Sequence, residues 1–352
     1  MRSAARVGVV GLGEGGRAFA HVFDGLPNCT LGWLCDSDRG TLMAAKRYLQ
    51  ATTTASFDDL LRDEALDAVV LAAPVAKRDG LVERALRADK HVLVANPLAR
   101  TADDALSLMD LARERSRCLL TAHALLFHPG LRKLKEILET GRMGETFYLY
   151  ANRQDLSRAR REGSALWNLG VQDLASVLYL LDDTPVDVSC WGETYVRPGV
   201  GDVAFCFLRF ATGVTVHLHL SSLDPQTVRR LVLVGSRQMA VFDELAVERA
   251  LTIHDRAVVP PRSPGYGPSL RVEGDGSVLS PAIPADDPLQ AMCETFLAAV
   301  RRGRPLESEG SLAVRVVAVL EALQRSLDRA GSAEVVSAPA RRLPNVVAIR
   351  GN

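Results

Sequence analysis

The chain has no excess of either charge, because 42 lysine and arginine residues balance 42 aspartate and glutamate residues over 352 positions. Proteins that attract nucleic acid or an anionic membrane surface carry a basic excess, so this balance argues against both classes of partner. No apolar run approaches the ~20 residues needed to span a bilayer. The opening segment, MRSAARVGVVGLG, has no signal-peptide architecture, which predicts a cytoplasmic protein.

The six cysteines lack the spacing of a metal site or of a disulfide framework. None belongs to a C-x-x-C pair, and most lie in apolar, strand-like segments such as GWLCD and AFCFL. This pattern predicts buried free thiols in a reducing compartment. His217 and His219 share one face of a strand, but no third ligand accompanies them. We therefore predict no metal site, and we expect these histidines at a surface or interface.

Residues 1–122 alternate between two hydrophobic periodicities. Short apolar runs are typical of buried parallel strands, and the stretches between them have the spacing of amphipathic helices. This alternation predicts a Rossmann-type domain over 1–122, built on a doubly wound parallel sheet. The predicted strands are ARVGVV, LGWLCD, LDAVVLAAP, HVLVA and RCLLTA.

The pattern changes after residue 122. Two helices flank a long strand, and further strands then follow without intervening helices, which predicts an α+β domain over 123–352 with a large, mainly antiparallel sheet. Residues 255–288 hold seven prolines and predict a long irregular loop. We expect the C-terminal helices within 289–329 to pack partly on the Rossmann domain.

A glycine motif follows the first predicted strand and opens the first helix. Glycines in this context allow a tight turn, and the helix N-terminus can then receive a pyrophosphate. Asp36 ends the second strand and would accept hydrogen bonds from ribose hydroxyls, which favours NAD, while Arg39 leaves NADP open. The predicted cofactor-binding residues here are Gly11, Leu12, Gly13, Glu14, Gly15, Gly16, Asp36 and Arg39.

Two proline turns end later strands of the same domain. Ala73-Pro74 ends the strand LDAVVLAAP, and Ala95-Asn96-Pro97 ends the strand HVLVA. Because ligands of open parallel sheets bind beyond the carboxyl ends of the strands, both segments should flank the nicotinamide half of the cofactor.

The chain as a whole resembles the Gfo/Idh/MocA oxidoreductase family, especially its nucleotide-sugar 3-dehydrogenase branch. The resemblance is carried by both proline turns and by AHALLFHPGLRKL, SALWNLGVQDL, VRRLVLVGSRQMAVFDEL, DDPLQAMCETF and VVAVLEALQRSL. It implies NAD-dependent oxidation of the C3 hydroxyl of a UDP-sugar, whose ketone a pyridoxal-phosphate aminotransferase commonly takes up. It also implies a homodimer or homotetramer, with the open face of the second sheet as an interface.

The family's proton-handling residues are replaced. Asn96 stands where the resemblance implies a lysine, and Gln172 stands where it implies a histidine. Neither amide can relay a proton. We consider His123 as the substitute acid or base, because it matches a histidine of the family near the pocket. The alternative is that His123 has a structural role.

Several other residues are predicted near the substrate. Arg153 and Arg160 resemble arginines near the nucleotide-sugar site, where a diphosphate needs cations, although both could lie on a surface loop. Arg78 could contact cofactor phosphate or substrate, or could be a solvated arginine at a helix start. The remaining predicted substrate residues are Trp167, Asn168 and Asp173.

Three functions stay open at this stage. The first is a working NAD-dependent oxidoreductase with atypical acid and base residues. The second is a catalytically silent homologue that serves as a scaffold or as the partner of an active paralogue. The third is a redox-neutral reaction in a repurposed pocket, for which amide side chains would orient a neutral substrate.

Overall fold

The computed structural model describes residues 4–78, 80–156, 163–196, 198–259, 271–303 and 307–337. The chain forms two compact units. The first contains the residues up to 127 together with 287–317, and the second contains 128–286 together with 318–337. The domain boundary at residue 122 stays a prediction.

The first unit is built on a six-stranded sheet in which every pair of neighbours is parallel. The strand order is β3-β2-β1-β4-β5-β6, so the direction of winding reverses beside β1. Val7, Val9 and the whole of Ala68–Leu71 are buried, as expected for strands covered on both faces. The strands are β1 (Ala5–Val10), β2 (Cys29–Cys35), β3 (Thr52–Thr54), β4 (Ala68–Leu71), β5 (His91–Ala95) and β6 (Leu119–Ala122).

Five helices connect these strands, and side chains cap the first turns of two of them. Asp38 accepts hydrogen bonds from the backbone nitrogens of Gly40 and Thr41, and Thr101 accepts one from Asp104 at 3.1 Å. Such caps satisfy amides that have no partner inside a helix. The helices are α1 (Glu14–Gly25), α2 (Arg39–Ala45), α3 (Phe57–Arg62), α4 (Leu81–Arg87) and α5 (Ala102–Glu114).

The second unit contains a nine-stranded mixed sheet in the order β16-β13-β12-β11-β7-β10-β9-β8-β17. Only the central pair of β7 and β10 is parallel; the other pairs are antiparallel. A short hairpin of β14 and β15 lies outside this sheet. The strands are β7 (Thr146–Gln154), β8 (Asp187–Glu193), β9 (Val203–Arg209), β10 (Thr215–Ser221), β11 (Val228–Gly235), β12 (Met239–Asp243), β13 (Leu251–His254), β14 (Ala257–Val259), β15 (Arg271–Glu273), β16 (Val278–Leu279) and β17 (Glu334–Val335).

Four further helices follow in chain order: α6 (Pro129–Glu139), α7 (Val171–Leu181), α8 (Pro288–Arg302) and α9 (Glu307–Asp328). A π turn over Leu166–Gly170 leads directly into α7, most of whose residues are buried. In the first unit, α8 packs on α1 through an edge-to-face contact of Phe23 and Phe296, whose ring centres lie 6.4 Å apart. Among the described residues, no helix is both long enough and apolar enough to cross a membrane.

The predicted fold class is confirmed, with local corrections. The short strand Thr52–Thr54 and the helix Phe57–Arg62 were not predicted. The strand is a polar segment at the sheet edge and so has no apolar run to detect. The predicted irregular loop over 255–288 was wrong in part, since it contains β14, β15 and β16; its residues 260–270 lie outside the described residues. All six cysteines are free and five are buried, as predicted.

Candidate active site

The first strand runs into a glycine turn that is closed on one side and open on the other. Gly11 has a φ of +84°, and a Cβ there would lie 2.7 Å from the backbone nitrogen of Ala73. A Cβ on Gly16 would lie 1.7 Å from the carbonyl oxygen of Gly11. At Gly13 and Gly15, in contrast, a Cβ would meet no described atom within 4 Å. A ligand can therefore reach the backbone of this turn.

The start of α1 suits an anion. The helix begins at Glu14, and its N-cap is Gly13, so no side chain caps the leading amides. Those amides and the helix dipole attract negative charge, which is the requirement for holding a pyrophosphate. Glu14 itself is exposed. The turn and the helix start thus fit the phosphate portion of a dinucleotide.

Asp36 connects the end of β2 to the glycine turn. One of its carboxylate oxygens accepts a hydrogen bond from the backbone nitrogen of Leu12 at 2.6 Å, and the other accepts one from Asp38 at 2.9 Å. A carboxylate oxygen can accept more than one hydrogen bond, so Asp36 keeps acceptor capacity for ribose hydroxyls. Arg39 begins α2 close by in sequence and is exposed.

The proline turns predicted to flank the nicotinamide occupy the ends of adjacent strands. Ala73 and Pro74 follow β4, and the Asn96-Pro97 peptide bond that follows β5 is cis. Ala95 is the last residue of β5, and β4 pairs with β5 along its length.

Arg78 bonds the turn after β5, and its burial contradicts one of its two predicted roles, while contact with cofactor or substrate stays a prediction. The side chain is buried, donating to the carbonyl oxygen of Pro97 at 2.8 Å and also to that of Ala95. The prediction of a solvated arginine at a helix start is therefore wrong. The sequence held no signal for this arrangement, because both acceptors belong to the backbone.

Asn96 and His123 lie at neighbouring strand ends of the first unit. The Asn96 amide nitrogen donates to the carbonyl oxygen of Ala122, the last residue of β6, at 2.6 Å. His123 comes next and is 3% exposed, and neither of its ring nitrogens has a hydrogen-bond partner among the described residues. Burial lowers the pKa of His123 to about 4, so its imidazole is neutral at pH 7.

In the second unit, polar side chains follow one face of the helical segment around the π turn. Ser164, Asn168 and Gln172 are spaced four residues apart, which places them along the same side. Asn168 donates to the carbonyl oxygen of Gly163 at 2.9 Å. The Ser164 hydroxyl and the Gln172 amide oxygen are buried without a partner among the described residues. Trp167 donates to Gln324 at 2.9 Å.

Arg153 and Asp173 form a buried ion pair beside this segment. The Nε and Nη2 atoms of Arg153 donate to one carboxylate oxygen of Asp173 at 3.0 and 2.9 Å. Nη2 also donates to a carboxylate oxygen of Glu244 at 2.8 Å. Arg229 bridges Glu244 at 3.1 Å and Asp155 at 3.3 Å. This network, of three carboxylates and two guanidiniums, engages Arg153 inside the protein.

The network also sets the charge states of its members. Burial alone would lower the pKa of Arg153, but Asp173 and Glu244 raise it above its usual value. Burial alone would raise the pKa of Glu244, but Arg153 and Arg229 lower it. The roles of Arg153 and Asp173 towards a substrate stay predictions, and Arg160 lies outside the described residues.

Two family models match the chain in turn. The NAD-binding Rossmann fold of the Gfo/Idh/MocA oxidoreductase family matches residues 5–123, and the C-terminal domain of the same family matches residues 131–241. A dTDP-3,4-didehydro-2,6-dideoxy-α-D-glucose 3-reductase from Streptomyces violaceoruber is 31% identical over 313 residues, covering 85% of this chain and 86% of the relative. The chain belongs to the Gfo/Idh/MocA oxidoreductase family.

Other relatives of this oxidoreductase agree with that membership. A UDP-N-acetylglucosamine 3-dehydrogenase from Acidithiobacillus ferrooxidans is 26% identical over 314 residues, covering 89% of this chain and 94% of the relative. A solved structure of the enzyme of that name from the same bacterium has a TM-score of 0.76 at 24% identity, covering 92% of this chain and 98% of that one. At that identity the structural likeness shows the fold alone. The matching model of the first unit describes an NAD-binding Rossmann fold.

Substituting Gly16 with alanine should weaken cofactor binding by the oxidoreductase. The new Cβ would lie 1.7 Å from the Gly11 carbonyl oxygen, so the turn must move away from its present shape. Strain of roughly 1–3 kcal/mol predicts a loss of about 10- to 100-fold in NADH affinity, measured by nicotinamide fluorescence. Gly25→Ala, where a Cβ meets nothing within 4 Å, is the matched control. Equal affinities of the two variants would contradict this account of the turn.

His123 should make the oxidoreductase less stable as the pH falls. Its folded pKa of about 4 lies below the ~6.5 of an unfolded histidine, so its contribution is complete above pH 6.5 and is lost as the pH falls towards 4. Between pH 7.5 and 4.5, urea unfolding should show that the wild type loses about 2.5 kcal/mol more of its unfolding free energy than His123→Leu does. An identical pH dependence in the two proteins would show that the imidazole is not buried in neutral form.

Proposed function

We propose that the protein transfers a hydride between NAD and carbon 3 of a nucleotide sugar, interconverting a hydroxyl group and a ketone. The main observation in support of this proposal is the glycine turn, whose open outer side and uncapped helix start suit a dinucleotide. The names of the relatives from Streptomyces violaceoruber and Acidithiobacillus ferrooxidans support a sugar nucleotide and position 3.

NAD is preferred to NADP because of Asp36. Its carboxylate lies at the end of β2, bonded to the glycine turn through Leu12, where it can accept hydrogen bonds from the ribose. The same negative charge repels a 2′-phosphate. Arg39 is the one nearby cation in sequence that would favour NADP.

The proposed reaction also requires an acceptor for the hydroxyl proton. NAD, when bound, supplies the acceptor for the hydride. An amide side chain, such as that of Asn96 or of Gln172, can hydrogen-bond a substrate oxygen but cannot take its proton. His123 is neutral at pH 7, and its lowered pKa makes it a weak base. In the proposed reaction the hydroxyl proton therefore passes to water while the hydride passes to NAD, and we expect turnover roughly 10²–10⁴-fold below that of a homologue with a general base.

A catalytically silent subunit is the second candidate, favoured by the position of the Asn96 side chain. Its amide nitrogen is bonded to the carbonyl oxygen of Ala122 at 2.6 Å, so it braces β6 within the protein. A scaffold of this kind would bind the cofactor and support an active paralogue or an aminotransferase that consumes the ketone. Asn96 and Gln172 would then have structural roles only.

The deciding experiment combines NAD with UDP-N-acetylglucosamine or dTDP-glucose deuterated at carbon 3. Slow transfer of deuterium into the reduced cofactor is expected of the wild type, and an added sugar aminotransferase should increase the yield by consuming the ketone. Asn96→Lys/Gln172→His should raise the rate by about 10²-fold or more, whereas Asn96→Ala/Gln172→Ala should not.

The other outcomes distinguish the alternatives. No transfer by the wild type, together with transfer by the Lys/His variant, would establish the silent subunit. Product that retains its deuterium would establish a redox-neutral reaction. No NADH binding at all would overturn the cofactor proposal itself.

We propose that the open face of the nine-stranded sheet joins two copies of the chain. Trp191, Phe205 and Phe207 are 57%, 40% and 53% exposed on β8 and β9. His219 stacks on Phe205 and His217 lies against Phe207, which extends the aromatic face across β10. An exposed apolar area of this kind is typical of a protein interface.

The substitution Phe207→Glu should convert a homodimer or homotetramer into smaller species. A buried carboxylate without a partner opposes association, and sedimentation equilibrium measures the change in mass. Tyr48→Glu is the control, because Tyr48 is an exposed aromatic residue (77%) that belongs to the first unit and not to this sheet. A monomeric wild type, or an unchanged mass of the Phe207 variant, would refute this interface.

A further inference from the structure

Arg78 is bonded to the backbone on both sides of Asn96. Its side chain, 4% exposed, donates to the carbonyl oxygens of Ala95 and Pro97, the residues before and after Asn96. Since a guanidinium is planar and rigid, two such bonds fix both carbonyl groups relative to one another. The backbone on both sides of Asn96 is therefore held by a residue that lies outside β5 and its turn.

These bonds are among several links between neighbouring strand ends of the first unit. Gly11 approaches Ala73 so closely that a Cβ there would lie 2.7 Å from the Ala73 nitrogen. Arg78 continues from the β4 end to the turn after β5, and the Asn96 amide then reaches Ala122 at 2.6 Å. The glycine turn and the Asn96 turn are thus parts of one braced edge.

We propose that Arg78 is the positioning residue that sets the Asn96-Pro97 turn for the nicotinamide half of the cofactor. This inference rests on the proposed NAD site. It assigns Arg78 a role that acts through the turn, which the guanidinium holds by two hydrogen bonds to backbone carbonyls. Its effect should be confined to ligands that carry a nicotinamide, since the glycine turn and Asp36 bind the other half.

The test compares NADH with ADP-ribose, which lacks the nicotinamide, by calorimetric titration of the full chain. In Arg78→Met, NADH affinity should fall about tenfold or more, because two buried carbonyls lose their donors, while ADP-ribose affinity should change less than twofold. Arg78→Lys retains a charged donor and should recover part of the loss. Arg84→Met is the control, since Arg84 is an exposed arginine of α4 paired with Asp58, and it should change neither affinity.

Each other outcome has a definite meaning. Equal weakening of NADH and ADP-ribose would overturn the positioning role, because it would indicate general damage to the unit. Unchanged binding of both ligands would overturn it as well, with the cofactor site left standing. A wild type that binds neither ligand would overturn the proposed function and this inference together. If Arg78→Met does not fold, the same comparison is made with Arg78→Gln.

Discussion

Buried parallel strands must end somewhere, and the polar backbone groups at their ends need partners when water is excluded. In the first unit this requirement is met by side chains: Arg78 bonds the carbonyls on either side of Asn96, and Asn96 bonds the end of β6. The same edge of the sheet carries the glycine turn and Asp36. Satisfying the strand ends therefore also determines the shape of the edge at which a ligand would bind.

In the second unit, the buried polar groups that need partners are charged side chains, and they pair with one another. Arg153, Asp173, Glu244, Arg229 and Asp155 form a network with little exposure to water, and each carboxylate finds at least one guanidinium. Charges buried in this way are costly to separate, so removing one member typically costs ~3–5 kcal/mol. The network ties the residue after Gln172 to the end of the sheet. It thereby fixes where α7 presents its polar face.

The features that sequence could predict are those with a periodic or local signal. The strand runs of the first unit, the glycine motif before α1 and the mainly antiparallel second sheet all follow from hydrophobic spacing and from glycine's lack of a side chain. The strand Thr52–Thr54 has no apolar pattern to detect. Arg78 and Arg153 could not be interpreted either, because a buried arginine and a solvated one look the same until their partners are known.

The π turn over Leu166–Gly170 has a consequence for how this chain could diverge. A π turn accommodates one residue more per turn than an α turn, so deleting a single residue there would leave an ordinary helix. That deletion would leave Ser164 and Gln172 on the same side, because the wider turn absorbs its extra residue without rotating the helix on either side of it. The polar face therefore tolerates a change of one residue within the π turn, whereas one residue inserted into the regular part of α7 would rotate everything beyond it by about 100°.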